Sequence, residues 1–348
     1  MDWFERLTGF VESTGTAGYE ETRQRLQVDG KRLISRVNGR SYGIGTLELI
    51  SLQALRERAH SGPLVPGVRS VRVVRGDARQ LHASEPCASA VFQVASQFNL
   101  LEMVGPDVTP ERGVTRYAGD GTQGPACAIA AGAATLYRNY FAAVGDAHGQ
   151  TAARQLDGFA ELGHAVAHEL GRPSEALWQM RNGYAMFSED GILAMSDHVR
   201  GLDEKQRDKL RERLKIGMHW DVEVTDGPAA PGQVVSQAFC SALPVAYHGY
   251  AGVPSAAWAP LATLVLEAAY EATLWAAVVN AQRGGSRKVL LTELGGGAFG
   301  NDKSWIRSSM QRALRLVQHH GIQALVVSFG APPRELLDWA RAQVRPAG

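Results

Sequence analysis

Two carboxylates bracket a glycine run near the C-terminal end of the chain: Glu293 precedes Gly295-Gly296-Gly297, and Asp302 follows Ala298-Phe299-Gly300-Asn301. Residues without a Cβ reach positive φ freely and let backbone come close to a ligand. The apolar run 289–291 ahead of the glycines predicts a strand, and Trp305, Ile306, Met310, Leu314 and Val317 behind them recur at helical spacing. A helix start presents unpaired N–H groups, so a strand, a glycine turn and a helix in that order suit an anionic group such as a phosphate. The plain alternative is a strand-to-helix turn with no ligand. An acid at a strand end is costly to bury unless it is paired or used, which singles out Glu293. Asp302, at the expected helix start, fits either a catalytic acid or a helix cap.

A second group of residues could share that chemistry. Gly119-Asp120-Gly121-Thr122-Gln123-Gly124-Pro125 is a turn-forming stretch. It leads into a segment of small residues, 126–137, read as a closely packed helix. Asp77 closes the strand 71–74 through Gly76-Asp77 and can accept from an amine or cap a turn. Asp221 and Glu223 share one face of the strand expected at 217–224 and form a reserve pair of acids. Other constellations lead nowhere. His164 and His168 stand beside Glu169 without a third ligand or HExxH order, and read as a solvated helix face. Cys127 reads as a small buried thiol. Neither a Gly-x-Ser-x-Gly elbow nor a Walker-type phosphate loop is present.

The elements that must position these residues alternate between strand and helix. Apolar runs at 90–95, 289–291 and 324–329 suit a doubly covered sheet, and the helices between them predict an α/β fold with a mixed, mostly parallel sheet and helices on both faces. Asn38-Gly39 predicts a hairpin after 32–37, ahead of a helix-like 47–58, and Asn182-Gly183 predicts another within 178–194. A polar helix is expected over 150–172. The segment 203–215 reads as a charged helix with a solvated face, because its charges alternate in sign. The alanine-rich 256–280 reads as a buried helix and not as a membrane span, because Pro260, Glu267 and Glu271 interrupt it. Residues 1–65 are expected to be an N-terminal extension packed on the core, and 66–348 one catalytic domain with an insertion at about 150–255.

With 36 basic and 35 acidic residues among 348, bulk charge disfavours nonspecific nucleic-acid binding. The start of the chain lacks the apolar core of a signal peptide. Three scattered cysteines suggest neither a disulfide framework nor a zinc site, so a reducing cytoplasm is expected. No membrane, metal or redox cofactor is expected, and the oligomeric state is left open.

Three segments, in order, resemble macrodomains, the ADP-ribose-binding α/β fold that includes the poly(ADP-ribose) glycohydrolases. Val73-Val74-Arg75-Gly76-Asp77-Ala78 resembles the strand end whose acid takes the adenine amino group. Phe92-Gln93-Val94-Ala95-Ser96-Gln97-Phe98-Asn99 resembles the strand that delivers an asparagine to the distal ribose, and the loop 119–125 stands at the first phosphate loop. Residues 295–301 resemble the second phosphate loop, with Phe299 as the aromatic beside that ribose. The resemblance implies a ligand site formed by Asp77, Ala78, Asn99, Thr122, Gln123, Gly124, Gly295, Gly296, Gly297, Ala298, Phe299, Gly300 and Asn301, and binding of ADP-ribose or an ADP-ribosylated protein. It departs from the family pattern in two places: Ser96-Gln97 replaces the usual tandem asparagines, and the tandem glutamates of the glycohydrolase loop are missing. Hydrolysis at the distal ribose would then draw its carboxylate from Asp302, Glu293 or Asp120. The ensemble is most similar to macrodomain hydrolases that remove ADP-ribose from arginine. The alternative is a non-catalytic module that reads ADP-ribose.

Overall fold

The computed structural model describes residues 1–247 and 253–343; the last five residues of the expected 66–348 domain, 344–348, and 248–252 within its insertion lie outside the described residues. Seven strands form the central sheet: β1 (Thr46–Ser51), β2 (Ser70–Arg75), β3 (Val91–Ala95), β4 (Lys215–Glu223), β5 (Val234–Cys240), β6 (Lys288–Leu291) and β7 (Gln323–Ser328). Their order across the sheet is β1-β4-β5-β3-β6-β7-β2. β1 and β5 pair with β4 antiparallel, and every pairing from β5 through β3, β6 and β7 to β2 is parallel. The chain therefore has the expected mixed, mostly parallel α/β architecture. β3, whose Val91, Phe92 and Val94 are all buried, occupies the middle of the sheet. That position explains its continuous apolar run: both of its faces are covered.

Helices cover both faces. Here α1 is Leu52–Ser61, α2 Ala78–Ala83, α3 Gln123–Ala130, α4 Gly132–Tyr140, α5 Glu189–Gly201, α6 Glu204–Arg211, α7 Ser255–Gln282, α8 Lys303–Leu316 and α9 Arg334–Ala342. On one face α7, buried along most of its length, packs between the sheet and α1, α5 and α8. It is the one helix among the described residues long and apolar enough to cross a membrane, and its surroundings here are protein. The other face carries α2, α3 and α4.

Several local expectations are corrected. The segment 47–58 is half strand: Leu47 and Leu49 turn to one side of the sheet and Ile50 to the other, and Ser51 caps α1 by accepting from the Ala54 N–H. Pairing with β4 overrides the helix-like composition. The small-residue helix breaks at Ala131, where Thr225 accepts from the Gly132 N–H at 2.8 Å and donates its own N–H to Ala130 O, while the Trp3 ring packs on Gly132. Of the polar helix at 150–172 only Ala160–Glu169 forms, started by Asp157 accepting from the Phe159 and Ala160 N–H groups. The charged helix has the expected solvated face, with Asp203, Glu204, Lys205 and Lys209 exposed, but its other side is engaged. Arg211 is buried against Glu204 and Glu267, and Asp208 meets Arg56 and Arg312, which also grip the buried Glu271 at 2.5 Å each.

The expected division at residue 65 also shifts. Residues 1–43 pack as a satellite, with Trp3, Phe4, Leu7 and Tyr19 against Leu136 and Tyr140 of α4, but β1 and α1 belong to the main body. The region 150–255 contributes β4 and β5, so it is part of the sheet as well as an embellishment of it.

Candidate functional site

Two cavities open at the carboxyl ends of the parallel strands, where ligands of open α/β sheets bind. The first, about 210 Å³, lies beyond β3 and β6 and is walled by Ser96, Gln97, Glu102, Asp120, Glu293 and the glycine run. The second, about 340 Å³, lies beyond β2 and β7 and is walled by Asp77, Ala78, Ile129 and Phe329. Asp120, Thr122, Gln123 and Thr292 line both, so the two are halves of one groove.

The loop 119–125 forms the shared wall. Asp120 accepts from the Thr122 N–H at 2.8 Å, which tightens the turn into α3. The α3 start has no side-chain cap, and Thr122, Gln123 and Gly124 face the groove, so its unpaired N–H groups are offered there. Gly124 lies so close to β3 that a Cβ would fall 2.0 Å from Ala95 O. The Gln123 side chain docks on β3 like a strand segment, accepting from the Ala95 N–H and donating to Gln93 O.

The glycine run forms the opposite wall. Gly295 has φ +73°, and a Cβ there would meet the Ala242 methyl at 2.5 Å. Among the described residues the N–H groups of Gly297, Ala298 and Phe299 have no protein acceptor, and all three residues line the first cavity. The helix that follows does not face it. Asp302 caps α8, accepting from the Ser304 N–H at 2.7 Å, is exposed, and lies outside both linings. The expectation of Asp302 as a catalytic acid is therefore corrected: its carboxylate serves as the helix cap. Gly296, Gly300 and Asn301 also stay out of the groove. Gly296 packs on Ile306, and the buried Asn301 braces the loop by donating to Leu243 O at 2.8 Å.

Asn99 is likewise corrected. It is fully buried, accepts from the Leu101 N–H and donates to Gln155, and Gly183 packs against it. Gln97 takes the place in the cavity wall expected for Asn99. The reserve acids lie elsewhere as well: Asp221 pairs with Arg283, and Glu223 accepts from the Gly43 N–H.

Glu293 lines the first cavity with Oε1 3.6 Å from Arg307 Nε. A third acid, which sequence reasoning missed, is more deeply set. Glu102 is 2% exposed, its Oε2 has no partner among the described residues, and its Oε1 lies 3.5 Å from Nη2 of the buried Arg138. Burial pushes its pKa up to about 7, with Arg138 pulling the other way. Arg138 also donates to Leu100 O and Thr135 Oγ1 and lies 3.9 Å above the Phe239 ring, and its attraction for Glu102 offsets only part of the cost of burial. Leu100, in the left-handed region at φ +66°, folds the chain back so that Glu102 returns to the strand end. The available signal was a lone acid flanked by Leu100, Leu101, Met103 and Val104, the same argument that marks Glu293.

Aromatic residues complete the groove. Tyr184, from the Trp178–Arg181/Tyr184–Phe187 hairpin, meets Tyr247 and Phe299 with ring centroids 5.2 and 5.4 Å away, all three on the wall of the first cavity. The Tyr184 hydroxyl donates to Met103 O, beside Glu102. At the other end Phe329 is 78% exposed in the lining of the second cavity, near Asp77, which caps α2 by accepting from the Arg79 N–H.

No family model matches the chain, and no curated protein matches it. Among solved structures it is similar to poly(ADP-ribose) glycohydrolase from Thermomonospora curvata, with 14% identity over 94% of this chain and 97% of that one, at a TM-score of 0.41. It is also similar to the enzyme from Deinococcus radiodurans in complex with ADP-ribose, with 13% identity over 86% and 94% of the two chains, at a TM-score of 0.42. At this level of likeness the functional reading rests on the residues of the groove.

Proposed function

We propose that this chain is a hydrolase that releases ADP-ribose from modified protein side chains, with arginine as the linkage it takes. The observation that carries the reading is the continuity of the groove: one end offers Asp77 and the exposed Phe329, the middle offers unpaired backbone N–H groups from two loops, and the other end offers three carboxylates. Those features match, in order, an adenine, a diphosphate and a glycosidic bond. Asp77 accepts from the adenine amine while the face of Phe329 packs on the ring. The α3 start and the 297–299 backbone take the phosphates without net positive charge.

Cleavage builds positive charge on the anomeric carbon, which the carboxylates of Asp120 and Glu293 stabilise. Water adds its oxygen to that carbon as the carbon–nitrogen bond breaks, the guanidine leaves with the bonding pair, and one proton must travel from water to the leaving nitrogen. Glu102, poised near neutrality, can carry it. The preference for arginine is supported by the aromatic wall of Tyr184, Tyr247 and Phe299 beside two acids, a setting that suits a guanidinium. The three cysteines, all buried and unpaired, fit the reducing cytoplasm we propose as its setting.

The test is release of free ADP-ribose from arginine-, glutamate- and serine-modified proteins. Release from the arginine substrate is expected. Calorimetric binding of ADP-ribose without release from any substrate would make the chain a reader, and absence of both would overturn the site.

A further inference from the structure

Glu12 belongs to the N-terminal satellite and has no place in the groove, yet it is 9% exposed and its carboxylate is fully engaged. Oε1 accepts from the Val114 N–H at 2.9 Å and the Tyr140 hydroxyl at 2.7 Å, and Oε2 accepts from the Thr115 N–H at 2.7 Å. Two successive backbone amides held by one carboxylate fix the direction in which the chain leaves them. Gly113, at φ +79°, brings the backbone so close that a Cβ would lie 2.4 Å from Glu12 Oε2. Trp3 adds a bond to Thr115 O.

The held segment feeds the site directly. From Thr115 the chain makes a single 3₁₀ turn, Thr115–Gly119, and arrives at Asp120 on the wall shared by both cavities. Within that turn the fully buried Tyr117 accepts from the Glu102 N–H at 3.1 Å. Two of the three acids in the first cavity thus hang on the segment that Glu12 grips at its root.

We infer that Glu12 is a positioning residue for turnover: through residues 113–120 it sets Asp120 and Glu102 against the bond to be broken, so the N-terminal satellite is part of the catalytic apparatus. This rests on the hydrolase reading above. Glu12→Gln keeps the size but turns an amide N–H₂ towards a backbone N–H, placing donor against donor at Thr115 or Val114. Expected is a fall in kcat on the order of 10- to 100-fold, as for misplacement of a catalytic group. Calorimetric affinity for ADP-ribose should fall less than kcat, since Asp77 and Phe329 keep their places although Tyr117 and Asp120 also line their cavity, and hydrogen exchange at Val114 and Thr115 should quicken. In an Asp120→Asn background the same change should cost less than in the wild type, because part of its effect runs through Asp120. Gly113→Ala, which pushes on the carboxylate from the other side, should reproduce the profile and stands in if Glu12→Gln does not fold. Unchanged kcat with quickened exchange, or equal losses in both backgrounds, overturns the inference. A wild type that releases no ADP-ribose refutes the hydrolase reading instead; exchange at 113–120 that stays at the wild-type rate in Glu12→Gln overturns the grip itself.

Discussion

Replacing Glu102 by glutamine should make the protein more stable and far less active, and the stability gain should depend on pH in a set direction. Burial raises the folded-state pKa from 4.5 to about 7. A raised pKa means that the folded chain holds the proton more tightly than the unfolded one. The protonated form's contribution is therefore complete below 4.5 and is lost as pH rises through about 7. A neutral isostere such as glutamine does not undergo that loss. At 1.36 kcal/mol per pKa unit, the variant should exceed wild type by about 3 kcal/mol at pH 8 and by less than about 1 kcal/mol at pH 5. The figure needs no discount for solvent screening, since the side chain is 1% exposed. Urea titrations of both proteins at the two pH values, read with the slopes compared, give the numbers. A difference that stays flat between pH 5 and pH 8, or a variant less stable than wild type at pH 8, would refute the assignment of Glu102 as a buried acid held near neutrality. The rate should fall in the same variant, and the wild-type kcat profile should show an ionisation near neutrality that the variant lacks.

Three other substitutions probe the groove. Asp77→Asn keeps a good helix cap but loses the charged acceptor, so ADP-ribose should bind more weakly by about 1.5 kcal/mol with melting unchanged; calorimetry and a thermal scan check the two halves. Asp302→Ala should leave turnover intact and cost about 1 kcal/mol of stability, as loss of a cap does; a fall in kcat at normal ADP-ribose affinity would restore the catalytic reading of that residue. Phe329→Ala removes an exposed ring, so melting should not move while ADP-ribose affinity drops by about 1 kcal/mol, a loss that binding of a ligand without the base should not show.

Much of the frame could be read from residues alone. The apolar runs of β3, β6 and β7 announced a covered sheet because a doubly buried strand has no polar face to show. Asn182-Gly183 marked a hairpin because a two-residue reversal needs positive φ, which both adopt at +48° and +82°, and Asn38-Gly39 marked another, a longer loop in which Gly39 has φ +69°. The glycine run and the 119–125 loop do meet across one groove. What stayed hidden depends on the third dimension. Whether an acid after a glycine run faces a ligand or caps a helix is decided by a turn of a few residues, and Asp302 fell on the capping side. Glu102 became visible only once Leu100 had folded the chain back beneath the cavity. Phe329 looked like the end of a buried strand, and its exposure follows from β7 ending at Ser328. Alternating charge on α6 marked its solvated face, but not that Asp208 and Arg211 turn inward to partners on helices far away in sequence.

That web around α6 has an evolutionary consequence. Arg56, Asp208, Glu271 and Arg312 share partners around the buried Glu271, so changing one of them leaves another without its counter-charge. Single steps along that path are penalised, while joint replacement of several members by apolar groups is tolerated. Among descendants of this chain the four positions should therefore either persist together or disappear together, leaving a mark of correlated change at the joint between α1, α6, α7 and α8, on the side of the sheet away from α3.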